Sequence, residues 1–394
     1  MINAIKNLTE TLLPDLIRIR RHIHQHPELS YQEYETVAFV ASELDKLAIP
    51  YQKGIAGTGL VALIEGKNPQ KKCIALRADM DALPIFEENE TDYKSKNPGI
   101  MHACGHDVHT ACLLGAANIL QQYKEQFEGT IKLIFQPGEE KNPGGASLMI
   151  KEGVLENPKP EAIFGLHVYP QLPAGTAGFR AGQYMASADE IYITIKGKGG
   201  HAALPQQTVD PIAVAAMVIT GLQQVVSRKS NPLSPTVLTF GKISGGTATN
   251  IIPDSVEIIG TLRTFDEQWR KEALQHVRTI TSQIALAFGA EATVDIPDGY
   301  PSLFNDPATT ERACSFAKDF LGNENIRDLD LRMGAEDFSF YTLHTKGCFF
   351  RIGTNYNDEK YTLPVHNAHF DIDENALKTG AGLMSYIALN MLAD

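Results

Sequence analysis

The chain alternates strand-like and helix-like segments, breaks near residue 187 into a different order, and resumes the first pattern after Gly299. In the first stretch, β-rich runs at 60–64, 73–77, 131–135 and 162–167 alternate with helical periodicity at 110–123 and 145–152. Such alternation returns each strand alongside the last through a helix, so the sheet is largely parallel and covered on both faces. Two helices precede it. One covers 5–26, with Ile5, Leu8, Leu12, Leu13, Leu16, Ile17 and Ile23 on a helical period and Pro27 as its stop; the other covers 33–47. The interrupting stretch reads strand 190–196, helix 209–228, strands 236–243 and 256–263, helix 266–288, strand 291–296. Its first helix opens on Asp210-Pro211, a capping carboxylate before a proline at the first turn. The order β-α-β-β-α-β is the ferredoxin-like arrangement, whose neighbouring ends allow insertion into a host domain. The expectation is therefore an α/β domain with a mostly parallel sheet flanked by helices, residues 1–186 and 298–394, carrying an inserted ferredoxin-like α+β lid domain at 187–297. The host closes with a helix at 307–320, a strand at 348–352 and a helix at 375–392.

A chain of 394 residues is too long for one comfortable core, which agrees with two domains. Its 35 basic and 47 acidic residues give a net charge of −12, and no Lys/Arg stripe is present. This argues against nucleic acid or an anionic membrane surface as partner. No run of about 18 uncharged apolar residues occurs, so no membrane span is expected. The first residues lack the apolar core and cleavage site of a signal peptide. Five scattered cysteines do not make a disulfide framework and suit a reducing, cytoplasmic setting.

The chemistry concentrates in residues 100–110, I-M-H-A-C-G-H-D-V-H-T. Cys104 and His106 are two apart, so they cannot share a helix face, but from a turn both can address one ion. Thiolate beside imidazole selects transition metals over Mg or Ca. A structural zinc site would want paired C-x-x-C units, which this chain lacks. Glu139-Glu140 follow the strand at 131–135 in F-Q-P-G-E-E, and two adjacent carboxylates at a strand end point different ways. One can bind metal while the other takes a proton from activated water, the division of labour of a hydrolytic centre. Asp79 and Asp81 follow the strand at 73–77. Asp81 suits a carboxylate that orients a ligating imidazole, while a plain turn remains open for Asp79.

Seven segments, R-R-H-I-H-Q-H-P-E-L-S (20–30), L-R-A-D-M-D-A-L-P (76–84), M-H-A-C-G-H-D-V-H-T (101–110), F-Q-P-G-E-E (135–140), G-K-G-G-H-A-A (197–203), T-N-I-I-P-D (249–254) and M-G-A-E-D-F-S-F-Y (333–341), resemble the peptidase M20 family. The likeness is to its amidohydrolase branch, the N-acyl-L-amino acid, hippurate and auxin-conjugate hydrolases, and it spans the chain. The resemblance implies two divalent transition-metal ions (Zn, Mn, Co or Ni) bridged by Cys104, one also held by His106 and His167, the other by Glu140 and His366. It implies Glu139 as general base. The branch's spacing, a single His followed by three residues and then Phe-Asp, selects His366, with His369 as a competitor. It further implies that His201 stabilises the developing oxyanion, that Asn250 and Arg263 anchor the substrate carboxylate, and that the lid forms a homodimer. The substrate implied is a small N-acyl amino acid. A metallo-dipeptidase or aminopeptidase, or a catalytically silent binding protein, are the alternative readings. His22, His24, His26, His276 and His344 read as structural or surface histidines, and His102 and His109 as flanking the ligands.

Overall fold

The structure is a computed structural model and describes residues 1–356 and 363–393. The chain divides into two compact units, Met1–Gly182 with Phe304–Asp330 and Asp337–Asp394, and Gln183–Leu303 with Leu331–Glu336. Each encloses its own hydrophobic core. The segment 331–336 joins the second unit because the main chain of Arg332 bonds to Tyr184 and Ala186.

The first unit is built on an eight-stranded sheet. Its strands are β1 (Tyr51–Ile55), β2 (Gly59–Glu65), β3 (Cys73–Asp79), β4 (Thr130–Gln136), β5 (Ala162–Pro173), β6 (Ala177–Phe179), β7 (Ile326–Asp328) and β8 (Lys346–Asn355), in the order β1-β2-β4-β3-β5-β8-β6-β7. The central strands β4, β3, β5 and β8 are mutually parallel, and antiparallel pairing is confined to the flanks, at β1–β2, β2–β4 and β8–β6. β3 and β4 are buried along their whole length, which is why they read as near-continuous apolar runs. The helices α1 (Ile2–Gln25), α2 (Tyr34–Lys46) and α3 (His106–Gln122) belong to this unit. α3 is buried on nearly every side, between β3, α1 and the C-terminal helix Ala376–Ala393. Three short strands of this sheet were not foreseen. β6 and β7 have three residues each, and β1 is an edge strand with an exposed middle, so none carries enough apolar alternation to be read.

In the second unit the antiparallel sheet runs Thr236–Ser244, Ser255–Thr264, Asp189–Lys196, Glu291–Asp295 across its width. In chain order that is 2-3-1-4, the ferredoxin-like sequence. Ile191, Ile193 and Ile195 alternate into its core beneath Pro211–Gln224 and Glu267–Ala287. Both helices start on a carboxylate cap: Asp210 accepts from Ile212 N and Ala213 N, and Asp266 from Gln268 N and Trp269 N. By length and composition alone the segment Pro211–Lys229 is apolar enough to cross a membrane, but Val214, Ala215, Val218 and Leu222 lie in the core of this unit.

Candidate metal centre

The centre forms beyond the carboxyl ends of the parallel strands, where open α/β sheets leave room for ligands. β3 ends at Asp79 opposite the end of β4 at Gln136. His167 lies on β5 in register with Arg351 of β8. Cys104 sits in the turn before α3 and His106 is the helix's first residue. Gly105 between them has φ +84°, and a Cβ there would come within 2.6 Å of Val168 Cγ2. The turn can therefore press against β5 only with glycine at this position. As a result Cys104 Sγ stands 3.4 Å from His167 Nε2.

The ligating atoms of Cys104, His106 and His167 lie within 4.8 Å of one another, and so do those of Cys104, Glu140 and His366. Cys104 belongs to both groups. His366 enters at φ +66°, its N–H fixed on Ala103 O at 2.7 Å, and its Nε2 is 3.3 Å from Glu140 Oε1. His369 is turned away, paired with Glu88 at 3.0 Å on the exposed side. Glu139 is nearly buried, with Oε2 4.0 Å from His106 Nε2.

Hydrogen bonds fix which ring nitrogens are free. His106 Nδ1 faces Asp81 Oδ1 at 3.2 Å, and His167 Nδ1 donates to Val168 O at 2.8 Å, so both Nε2 atoms turn inward. Asp81 is fully buried; its Oδ2 accepts from Ser30 Oγ at 2.7 Å and from Glu140 N at 3.0 Å. One carboxylate thus orients His106 and anchors Glu140. Val168 N donates to His109 Nε2 at 3.0 Å, so His109 Nδ1–H faces Asp79 at 2.5 Å. Asp79 also pairs with buried Arg77, which reaches Asp337 at 2.8 Å. Asp79 is therefore a charged, bonded group rather than a turn residue.

The electrostatics favour a cation. Burial alone would push His106 down, but Asp79, Asp81 and Glu140 outweigh it and raise the imidazole to about 10. Burial, then Glu140, Glu139 and Asp79, push the Cys104 thiol well above its usual value. A divalent ion held by these donors would reverse both effects, since it would take the place of the proton on each. His106 Nε2 and Glu140 Oε1 are buried without a hydrogen-bond partner among the described residues. Orphaned buried donors and acceptors of this kind, with a thiol and imidazoles beside them, fit transition-metal ligation.

The second unit holds His201, Asn250 and Arg263. His201 pairs with Ile251 in a two-stranded ribbon, and Ala202 N bonds to Asn250 O at 3.1 Å. Ala203 N donates to His201 Nδ1 at 3.1 Å, so the exposed ring carries its proton on Nε2. Arg263 is half-buried, bonded through Nε to Thr261 Oγ1 at 3.2 Å, and burial lowers its basicity.

Several supporting residues escaped the sequence reading. Arg20, fully buried on α1, reaches Asp107 at 2.8 Å beside His106, and Asp371 at 2.9 Å beyond His366. His24 joins Asp107 at 2.8 Å and Glu87 at 3.2 Å, which places it in the core. Glu33 is buried too, and its burial, followed by the charge of Asp81, pushes it up to about 7. A signal existed: Arg20 and His24 fall on the same helical stripe as Leu16, Ile19 and Ile23, where a charge is out of place unless paired.

A parallel-stranded α/β unit with clustered soft ligands at its strand ends, accompanied by a ferredoxin-like unit, defines a class. The sequence profile of peptidase family M20/M25/M40 matches residues 75–390, and the chain belongs to that family. It is 43% identical over 369 residues to the N-acetyl-L-cysteine deacetylase of Bacillus subtilis, covering 93% of this chain and 86% of that one. It is 42% identical over 384 residues to the IAA-amino acid hydrolase ILR1-like 4 of Arabidopsis thaliana, covering 96% and 86%. Among solved structures, the YXEP protein of Bacillus subtilis, described as a dinuclear metal binding peptidase from the M20 family, superposes with a TM-score of 0.82 at 36% identity, covering 98% of this chain and 99% of that one.

Proposed function

We propose that this protein is a dinuclear metal-dependent amidohydrolase that cleaves the amide bond of N-acyl-L-amino acids, releasing a carboxylate and a free amino acid. The observation that carries the reading is Cys104, shared between two triads of metal-ligating atoms, with Glu139 beside them. Cys104, His106 and His167 would hold one ion, and Cys104, Glu140 and His366 the other. Bound there, divalent ions would acidify water and polarise the scissile carbonyl.

The chain's own groups do the rest. Glu139 takes the proton from attacking water and passes it to the leaving amine. Asp81 orients the His106 ring and anchors the main chain at Glu140, and the Val168 carbonyl orients His167. His201 offers its Nε2–H to the oxyanion, and its tautomer is set by Ala203 N. Asn250 and the half-buried guanidinium of Arg263 anchor the substrate carboxylate. The unit carrying them, residues 187–297 at its centre, acts as lid and homodimer contact. Five free cysteines, none paired with another, suit a cytoplasmic protein.

The test is hydrolysis of a panel of N-acetyl and N-benzoyl amino acids beside free dipeptides, after reloading metal-free protein with Mn, Zn, Co or Ni. Turnover of the acylated amino acids over the dipeptides is expected. Preference for free dipeptides would make the protein a peptidase instead. Glu139→Gln should lower kcat by about a hundredfold to ten-thousandfold at unchanged metal content. Ordinary turnover by that variant would refute the assignment of the base.

A further inference from the structure

The turn that carries Glu139 and Glu140 is gripped by residues 30–33, between α1 and α2. Glu33 is fully buried there. Its Oε1 accepts from Tyr31 N at 3.0 Å and from Gly138 N at 2.8 Å, and its Oε2 accepts from Thr58 Oγ1 at 2.5 Å. Tyr31 crosses the same turn, and its hydroxyl donates to Lys141 O at 2.8 Å. Its ring fills the space a side chain would need at Gly138, where a Cβ would come within 2.3 Å of ring carbon Cε1. Tyr31 and Gly138 lie at φ +66° and +59°. Glycine adopts that region freely, whereas a tyrosine stays there only when its surroundings hold it. The neighbouring Ser30 ties the same loop to Asp81, which in turn receives Glu140 N.

We propose that Glu33 is a positioning residue of the metal centre: by holding the Gly138 N–H, with Tyr31 as a strut, it fixes the backbone from which Glu139 and Glu140 project. The proposal rests on the assignment of Glu139 as base and Glu140 as ligand. Two adjacent carboxylates can serve different tasks only while the peptide between them keeps one orientation. Gly138 is the hinge at which that orientation would drift, since glycine imposes none itself. A carboxylate whose only task is to satisfy loop N–H groups would matter for stability alone.

The conservative substitution separates the two. Glutamine at position 33 keeps a carbonyl oxygen for both backbone N–H groups and offers its amide to Thr58 Oγ, which can accept. Alanine removes the grip. Three readouts are compared for Glu33→Ala, Glu33→Gln and the parent: hydrogen exchange of residues 137–144 in metal-free protein, Mn²⁺ titration, and kcat with KM on the best substrate of the panel. Glu33→Ala should exchange that segment about tenfold faster, weaken the weaker of two Mn²⁺ sites about tenfold and lower kcat at least about tenfold, with KM within about threefold. Glu33→Gln should stay within about threefold of the parent in all three. Unchanged exchange at 137–144 in Glu33→Ala overturns the proposal. So does a kcat that holds while only thermal unfolding shifts, or a Glu33→Gln as impaired as the alanine variant. If Glu33→Ala does not fold, Tyr31→Phe carries the exchange comparison, with about threefold faster exchange expected and no change refuting the grip. If the parent binds no Mn²⁺, or Glu139→Gln turns over normally, the reading of the centre fails, and exchange at 137–144 alone then decides whether Glu33 holds the turn.

Discussion

Replacing Arg20 by methionine tests how the protein holds its ligand-bearing segments together. Arg20 is fully buried, bonded to Asp107 at 2.8 Å, Asp371 at 2.9 Å and Glu374 at 3.4 Å. Methionine nearly fills the side chain's volume, so the cost comes from stranded charge rather than from a cavity. Asp371 and Glu374 keep some exposure and can turn to water, but the Asp107 side chain is 0% exposed. Among the described residues its Oδ1 already has no hydrogen-bond partner, and His24 would remain as the ion-pair partner of Oδ2. Removing one partner of a buried ion pair costs about 3–5 kcal/mol. The pH dependence has a definite sign. Burial would raise Asp107, but Arg20 first and then His24 hold it well below the usual carboxylate range. A depressed carboxylate contributes stability that is present above its unfolded pKa and lost as pH falls through the folded one. In the variant the folded pKa of Asp107 rises, so acidification protonates it and relieves its stranding. The stability gap between parent and variant should therefore be largest at about pH 7 and narrow by about pH 4.5. Urea unfolding followed by far-ultraviolet circular dichroism at both pH values measures it. A gap at neutral pH no larger than the about 1 kcal/mol of an exposed pair, or one that widens on acidification, would refute the reasoning.

Other expectations concern packing and chemistry. Gly165 on β5 lies two residues from His167, and a Cβ there would come within 2.9 Å of both Phe338 Cε2 and Phe349 Cδ2. Gly165→Ala should destabilise the first unit by about 1–3 kcal/mol, measured by urea unfolding, and an unchanged midpoint would contradict the packing. His201→Ala should lower kcat by about a hundredfold to a thousandfold while Mn²⁺ stoichiometry holds, and steady-state kinetics beside metal analysis check both.

The parts of this molecule that sequence made legible are those whose physics is local. Alternation marked the strand at 190–196, and Asp210-Pro211 marked a helix start, because caps and alternation act within a few residues. The parallel strands β3 and β4 were visible because burial on both faces leaves runs that are mostly apolar, 73–76 in β3 and 133–135 in β4. Cys104 with His106 stood out as metal-binding side chains packed into a few residues, and Glu139 with Glu140 because they sit in the turn directly after β4. The rest depends on distant pairings. Nothing near Arg20 in sequence announces Asp107, 87 residues away, and Glu33 meets Gly138 across 105. The choice between His366 and His369 rested on a family spacing. The fold separates them through the positive φ at His366 and the bond to Ala103, which turn one ring inward while the other pairs with Glu88.

The central claim is that Cys104 belongs to two metal sites at once. Anomalous diffraction from crystals of the Mn²⁺-loaded protein tests it directly. Two peaks about 3.5–4 Å apart are expected, both touching Cys104 Sγ, one flanked by His106 and His167 and the other by Glu140 and His366. A single peak, or two peaks that do not share Cys104, would contradict it.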